Sequence, residues 1–288
     1  MSALDGLHEE QVEFVTRRQC NDVLDYLCRA PVENLFLIDL VRELSESWRD
    51  LGTQILAVWV KGEVVGVVSL RPSVFFDAGI KPNTLLACFP FITSVPSGLI
   101  KGNPDQADPV WAALRARGRN AQIDRSETAY LHRLKESDEA LNKLPPRHVI
   151  ARSAELHDLP FLIDAARASL REESRPDPFD GDPSGFKRWV ASRVERARLI
   201  EVNREPVFVG YADVRQPEGW LIQGVYTPPH ARRLGYARAG MSALLREARG
   251  AGANHVQLAV VAGNRAGVQL YSGLGFQPFA ELRTIVFS

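Results

Sequence analysis

Apolar positions along the chain fall into two similar sets. In the first half, Ile55–Val60 and Val64–Leu70 are near-continuous apolar runs separated by Lys61-Gly62-Glu63, which predicts a β-hairpin. In the second half, Ala197–Val202 and Val207–Val214 flank Asn203-Arg204-Glu205 in the same way. Val-x-x-Glu recurs at Val60/Glu63 and Val202/Glu205, and Gly66 and Gly210 stand half a chain length apart. The pattern reads as a diverged tandem duplication. The charged stretch Ser137–Arg147, ending in Pro145-Pro146, predicts the boundary, giving domains 1–140 and 147–288. His148–Arg152 then opens the second domain as a strand, and Leu156–Leu170 follows with apolar residues at helical spacing. In the first domain Thr84–Ile92 is expected as a strand, Val95–Asp108 as a surface turn, and Pro109–Arg117 as the helix that turn caps.

Composition adds little beyond class. With 288 residues, 45% hydrophobic and 24% charged, the chain is long enough for two domains. Lys+Arg and Asp+Glu both total 35, which argues against a nucleic-acid or anionic-membrane partner. No apolar run approaches a membrane span, and the N-terminus carries acids rather than a signal-peptide pattern. Cys20, Cys28 and Cys88 lack metal-ligand spacing and read as inert thiols, so no metal and a cytoplasmic location are expected.

The chemistry concentrates in Gly224-Val-Tyr-Thr-Pro-Pro-His-Ala-Arg-Arg-Leu-Gly-Tyr-Ala237. A strand, a proline break and a basic turn lead into a long helical pattern, with Arg232, Gly235 and Ala237 in an Arg-x-x-Gly-x-Ala spacing. Such a turn aims unpaired N–H groups outward at the positive end of a helix dipole, which suits a pyrophosphate. On spacing alone the segment equally fits an ordinary strand–turn–helix. The next segment decides: His255–Val261 is a buried-strand pattern, and Asn264-Arg-Ala-Gly-Val-Gln-Leu-Tyr271-Ser-Gly-Leu-Gly275-Phe276 reads as a capped short helix with a glycine break. In the first half, Gly98 and Gly102 are followed by Asp105 and Asp108, with no Arg-x-x-Gly-x-Ala.

These parts, in order from Gln223 to Phe276, resemble the GNAT superfamily of GCN5-related N-acetyltransferases. Ala237 stands where glycine is commoner in that family. Asn34-Leu-Phe-Leu37, Glu172-Glu173 and Ile222-Gln-Gly-Val225 are similar to a two-domain subgroup with a degenerate N-terminal half. The resemblance implies an α/β (by some schemes α+β) chain of tandem GNAT-like domains, each a mixed, mostly antiparallel sheet flanked by helices. It also implies acetyl-CoA as cosubstrate in a gap between two splaying parallel strands. Val225, Tyr226, Thr227, Arg232, Arg233, Leu234, Gly235, Tyr236, Ala237, Arg238, Asn264 and Tyr271 are its expected contacts.

Acetyl transfer to a primary amine, on a small molecule, lysine or N-terminus, is the activity the resemblance implies. By family analogy Tyr271 protonates the leaving thiolate. For the base, Asp213 lies on a strand face with Tyr211, and Glu172 and Glu173 precede the segment Ser174–Gly185; each also fits a solvated surface acid. His157 and His230 are alternatives. Asp177, Asp180 and Asp182 suggest a cationic acceptor. An acyl-CoA-binding pseudoenzyme or sensor is the second reading, and homodimerisation is left open.

Overall fold

In the computed structural model, which describes residues 10–46, 52–134 and 149–288, the chain forms two compact units. The first comprises Met1–Glu127 with Ala280–Ser288, the second Thr128–Phe279. The first unit runs β1 (Gln11–Phe14), α1 (Cys20–Leu27), α2 (Leu35–Glu46), β2 (Gln54–Val60), β3 (Glu63–Arg71), β4 (Val74–Phe76), α3 (Pro82–Ala87), α4 (Phe89–Ile92), β5 (Gly98–Gly102), α5 (Pro104–Ala116) and into β6 (Ala121–Arg133). The second runs β7 (Val149–Ser153), α6 (Leu159–Glu172), α7 (Pro183–Ala191), β8 (Ala197–Val202), β9 (Glu205–Arg215), β10 (Trp220–Tyr226), α8 (Tyr236–Gly250), β11 (His255–Val261), α9 (Arg265–Ser272) and into β12 (Gln277–Phe287).

The same order of strands and helices therefore occurs twice, with the paired helices α3 and α4 standing where the second unit has α8. Strand order agrees as well. The first unit reads β1-β2-β3-β4-β5-β12 and the second β11-β10-β9-β8-β7, with β6 beside β11. Each unit has a parallel pair at the same place, β4 with β5 and β10 with β11, while the other mapped pairings are antiparallel. Both expected hairpins form. Lys61 and Gly62 turn the first at φ 52° and 82°, and Asn203 and Arg204 the second at φ 52° and 68°, the left-handed geometry that matches strand twist.

Three expectations are corrected. Thr84–Ile92 is helical, forming most of α3 and all of α4. Its apolar run reads alike at both periods. Pro82 and Pro90 stand in the first two positions of their helices, where a missing N–H costs nothing. The helix placed at Pro109–Arg117 begins at Pro104, capped by Asn103 Oδ1 accepting from Gln106 N at 3.0 Å, and Pro109 lies inside it. Gly98–Gly102 is a strand, paired with Arg283–Phe287, instead of a surface turn. The boundary stretch Ser137–Arg147 and His148 lie outside the described residues. The units differ from a division at 140/147 because two long strands are shared: residues 128–133 of β6 belong to the second unit and 280–287 of β12 to the first.

Within the second unit β9 is buried on both faces. Phe208 and Ala212 join Met241, Leu244 and Leu245 of α8, whereas Val209 and Tyr211 join Leu162 of α6 and Phe186 and Val190 of α7. Burying a side chain of this size contributes roughly 1.5–3 kcal/mol. That two-sided core fixes β10, and everything β10 carries, between α6 and α8.

Candidate acyl-CoA site

Strands β10 and β11 pair only at Trp220↔Val256 and Leu221↔Gln257. Beyond those residues each strand continues without the other, so the sheet opens into a cleft toward their C-terminal ends. On its other side β10 is bulged. Gln223 faces Tyr211 and Tyr226 faces Val209, three steps against two, which leaves Gly224 and Val225 in the bulge. Gly224 has φ 57°, and a Cβ there would meet the Tyr211 ring at 2.9 Å, so the bulge requires glycine for both backbone and space.

After Tyr226 the chain breaks at Pro228-Pro229, makes one short turn over Pro229–Ala231, and passes through Arg233 at φ 64° and Gly235 at φ 85° before α8 starts. The amides of residues 233–238 donate to no acceptor among the described residues. Six adjoining donors at the positive end of a fifteen-residue helix form an anion cradle. A Cβ at Gly235 would meet nothing within 4 Å, so the space over the cradle is open.

The expected contacts take distinct places around it. Arg233 and Leu234 are exposed, Leu234 at 61%, while Val225, Tyr236 and Ala237 pack partly into the core. Arg238 turns away from the cradle, its Nη1 donating to Gly273 O at 2.8 Å and so tying α8 to the end of α9. Asn264 caps α9, its Oδ1 accepting from Gly267 N at 2.9 Å. Arg232 is held by the opposite element: its Nη2 donates to both oxygens of Glu172 at 2.6 and 2.7 Å, and its Nε to Thr227 O at 2.9 Å. Tyr226 Oη completes the group, donating to Glu172 Oε1 at 3.3 Å.

Tyr271 lies in the last turn of α9, 8% exposed, its ring edge-on to Phe276 at 5.8 Å. Burial raises its phenol well above the ordinary value, so it stays protonated across the neutral range. Its hydroxyl makes no hydrogen bond among the described residues, which leaves it available to a ligand atom.

The candidate bases are engaged. Both oxygens of Asp213 accept from Arg193, at 3.2 and 2.5 Å. That guanidinium stacks between Trp189, at 4.7 Å, and Tyr211, at 4.2 Å. Burial pushes the Tyr211 phenol up to about 12. Arg193 was invisible to sequence reasoning because its carboxylate partner lies twenty residues away on β9. Glu172 is paired with Arg232, and Glu173 with Arg175 at 3.6 Å. The acids of the lip are likewise spent within the chain. Asp177 accepts from Arg167 and Arg171, Asp180 from Arg167, and Asp182 caps α7. Their abundance therefore gives no support to a cationic acceptor. His157 precedes α6 while Glu172 ends it, about 22 Å apart at helical rise. His230 is exposed on the turn.

In the first unit the corresponding opening is bridged by a side chain. After two parallel pairs, Val74↔Ile100 and Phe75↔Lys101, Gln106 Nε2 donates across to Asp77 O at 2.8 Å. The Asp77 carboxylate, 1% exposed, accepts from Val67 N at 2.7 Å, Gly79 N at 2.8 Å and Tyr26 Oη at 2.9 Å. Amides that would face a ligand are thus satisfied from within. Burial raises the Asp77 carboxyl above its usual range despite these bonds. No cluster of His, Cys, Asp or Glu among the described residues is arranged to hold a metal, and no helix there is long and apolar enough to cross a membrane.

Comparison with known proteins agrees with this geometry. No curated protein matches the sequence. Among solved structures, a Drosophila protein is 16% identical at TM-score 0.70, with 96% of this chain and 99% of that one covered. A tandem GNAT protein from the clavulanic acid biosynthesis pathway is 14% identical at TM-score 0.57, with 97% of each chain covered. A GCN5-related N-acetyltransferase from Sphaerobacter thermophilus is 14% identical at TM-score 0.56, covering 96% and 95%. Likeness at this identity concerns the fold. The family model for the GNAT acetyltransferases matches residues 160–276, a span that holds the open cleft, the cradle and Tyr271. Residues 160–276 are thus similar to the GNAT family of acetyltransferases.

Proposed function

We propose that the second unit transfers an acetyl group from acetyl-CoA to a primary amine, by direct attack within a ternary complex. The observation that carries this reading is the run of unengaged amides at 233–238 beside the opening between β10 and β11. Those amides would hold the pyrophosphate, with Arg233 adding charge, and N–H groups of Val225–Thr227 would polarise the thioester carbonyl. The amine nitrogen forms a bond to the carbonyl carbon, the C–S bond breaks, and the thiolate gains a proton. A thiol near 8.5 is a weaker base than a phenolate, so Tyr271 assists chiefly by hydrogen-bonding the developing thiolate. An amine acceptor near 10.4 must lose its proton before attack. Glu172, Glu173 and Asp213 are the candidate acids for that step, directly or through water, once freed from their arginine partners.

The first unit carries no second cofactor site on this reading, because Gln106 bridges to the main chain at Asp77 and the Asp77 carboxylate takes the neighbouring amides. None of the three cysteines is in a disulfide, in keeping with a cytoplasmic protein. A second reading, an acyl-CoA-binding protein without turnover, draws support from the arginine partners of Asp213 and Glu172. A screen of amines and peptides with acetyl-CoA, following thiol release, separates the two. Multiple turnovers with any amine establish the transferase; binding without turnover across the screen establishes the sensor.

A further inference from the structure

The pair joining Glu172 to Arg232 holds a cation beside the anion cradle. Glu172 ends α6, and Arg232 immediately precedes the first open amide of the cradle. The carboxylate takes the guanidinium through both oxygens, and Thr227 O takes its Nε. The same carboxylate accepts from Tyr226 Oη, and the guanidinium carbon sits 5.7 Å from the Tyr226 ring centroid. Arg232 is thereby committed to α6 while the adjoining donors face an open space. A pyrophosphate seated on those donors would compete for the guanidinium and repel the carboxylate. Both side chains are roughly half exposed, at 41% and 46%, so the pair is weak enough to open.

We propose that this pair is a latch opened by acyl-CoA: the cofactor draws Arg232 onto its phosphates and releases Glu172 toward the acceptor amine. The inference rests on the acyl-CoA reading. Once released, Glu172 keeps only the Tyr226 hydroxyl, at the end of the bulged strand where the acyl carbonyl is to be polarised. A carboxylate at that point can hold an ammonium group and receive its proton. The unloaded protein then offers no free carboxylate there, which favours loading of acyl-CoA before the amine. Linkage makes the effect reciprocal: whatever acyl-CoA expends on opening the pair is recovered when the pair is already broken.

The test is calorimetric titration of the full chain with CoA, using the wild type, Glu172→Gln, Arg232→Ala and the double variant. Glu172→Gln should bind CoA about three- to five-fold tighter, the scale of an exposed ion pair. In the Arg232→Ala background the same change should alter affinity less than two-fold. Unchanged or weaker binding by Glu172→Gln overturns the latch, as does equal tightening without Arg232, which reduces the effect to general charge repulsion. Both results leave the acyl-CoA reading intact. Failure of the wild type to bind CoA overturns both.

Discussion

The ring of Trp111 on α5 lies 6.2 Å from the ring of Phe287 on β12, tilted by 50°. The strand that follows the family-matched residues thus completes the core of the first unit. Phe287 is 1% exposed and Ile285 fully buried, and both pack with Val110 and Leu114. Phe287→Ala should destabilise the first unit by about 3–5 kcal/mol, the usual cost of emptying a large aromatic site. Urea unfolding followed by tryptophan fluorescence measures it. A loss below about 1 kcal/mol would mean that β12 is dispensable to this core.

CoA should bind once per chain, and the cradle variants should rank by mechanism. Gly235 is left-handed with open space over it, so Gly235→Ala adds backbone strain of about 1–2 kcal/mol and no clash. Gly235→Asp adds a carboxylate beside the site of the phosphates and should abolish binding. Arg232→Ala should cost only about 1 kcal/mol, since the side chain is partly exposed. Titration showing two equivalent sites, or wild-type affinity in Gly235→Asp, would remove the cradle from the mechanism.

His255 should give the second unit an acid-sensitive stability. The ring is 2% exposed, and its Nε2 has no hydrogen-bond partner among the described residues. Burial, aided by the positive charge of Arg133, lowers its pKa to about 4. The unfolded value is near 6.5, so between these limits the unfolded chain binds more protons. The stabilising contribution is complete above about pH 6.5 and is lost as pH falls toward 4, by about 3 kcal/mol in all. The hydrogen-bonding Arg152 guanidinium holds the Asp158 carboxyl below the ordinary carboxylate range, so its contribution is lost only at lower pH. The comparison that isolates the ring is between the wild type and His255→Gln. The variant should show a flatter stability profile from pH 7 to 4. Parallel profiles would assign the acid sensitivity elsewhere.

Legibility in the sequence followed the range of the interactions. Turns governed by adjacent residues, at Lys61-Gly62 and Arg232–Gly235, could be read directly, because backbone preference and helix-start chemistry are local. Apolar runs without a period could not. Leu85–Ile92 is helical because of where Pro82 and Pro90 fall, and Pro109 drew attention from the true helix start at Asn103-Pro104. The side-chain partners of the site were hidden altogether. Nothing near Asp213 in sequence indicates Arg193, and nothing near Arg232 indicates Glu172. Each such pair is made by the packing of α6 or the α7–β8 connection onto the sheet, so it exists only once the fold does.

Tyr271→Phe should lower turnover while leaving CoA affinity nearly unchanged. The ring packs edge-on against Phe276 inside the core of the second unit, and phenylalanine preserves that contact. The hydroxyl contributes no hydrogen bond to the fold among the described residues, so its removal should leave stability within about 0.5 kcal/mol. What is removed is a donor to the sulfur as the C–S bond breaks, a contact made mainly in the transition state. Such a loss lowers kcat without a matching rise in KM. General-acid contributions run about 10²–10⁴-fold. A donor that hydrogen-bonds without transferring its proton in full belongs at the lower end, so a drop of about 10²-fold is expected. The measurement is a continuous assay of CoA thiol with an active amine, under conditions where chemistry limits the rate. An unchanged kcat in the Phe variant would return Tyr271 to the role of a core aromatic.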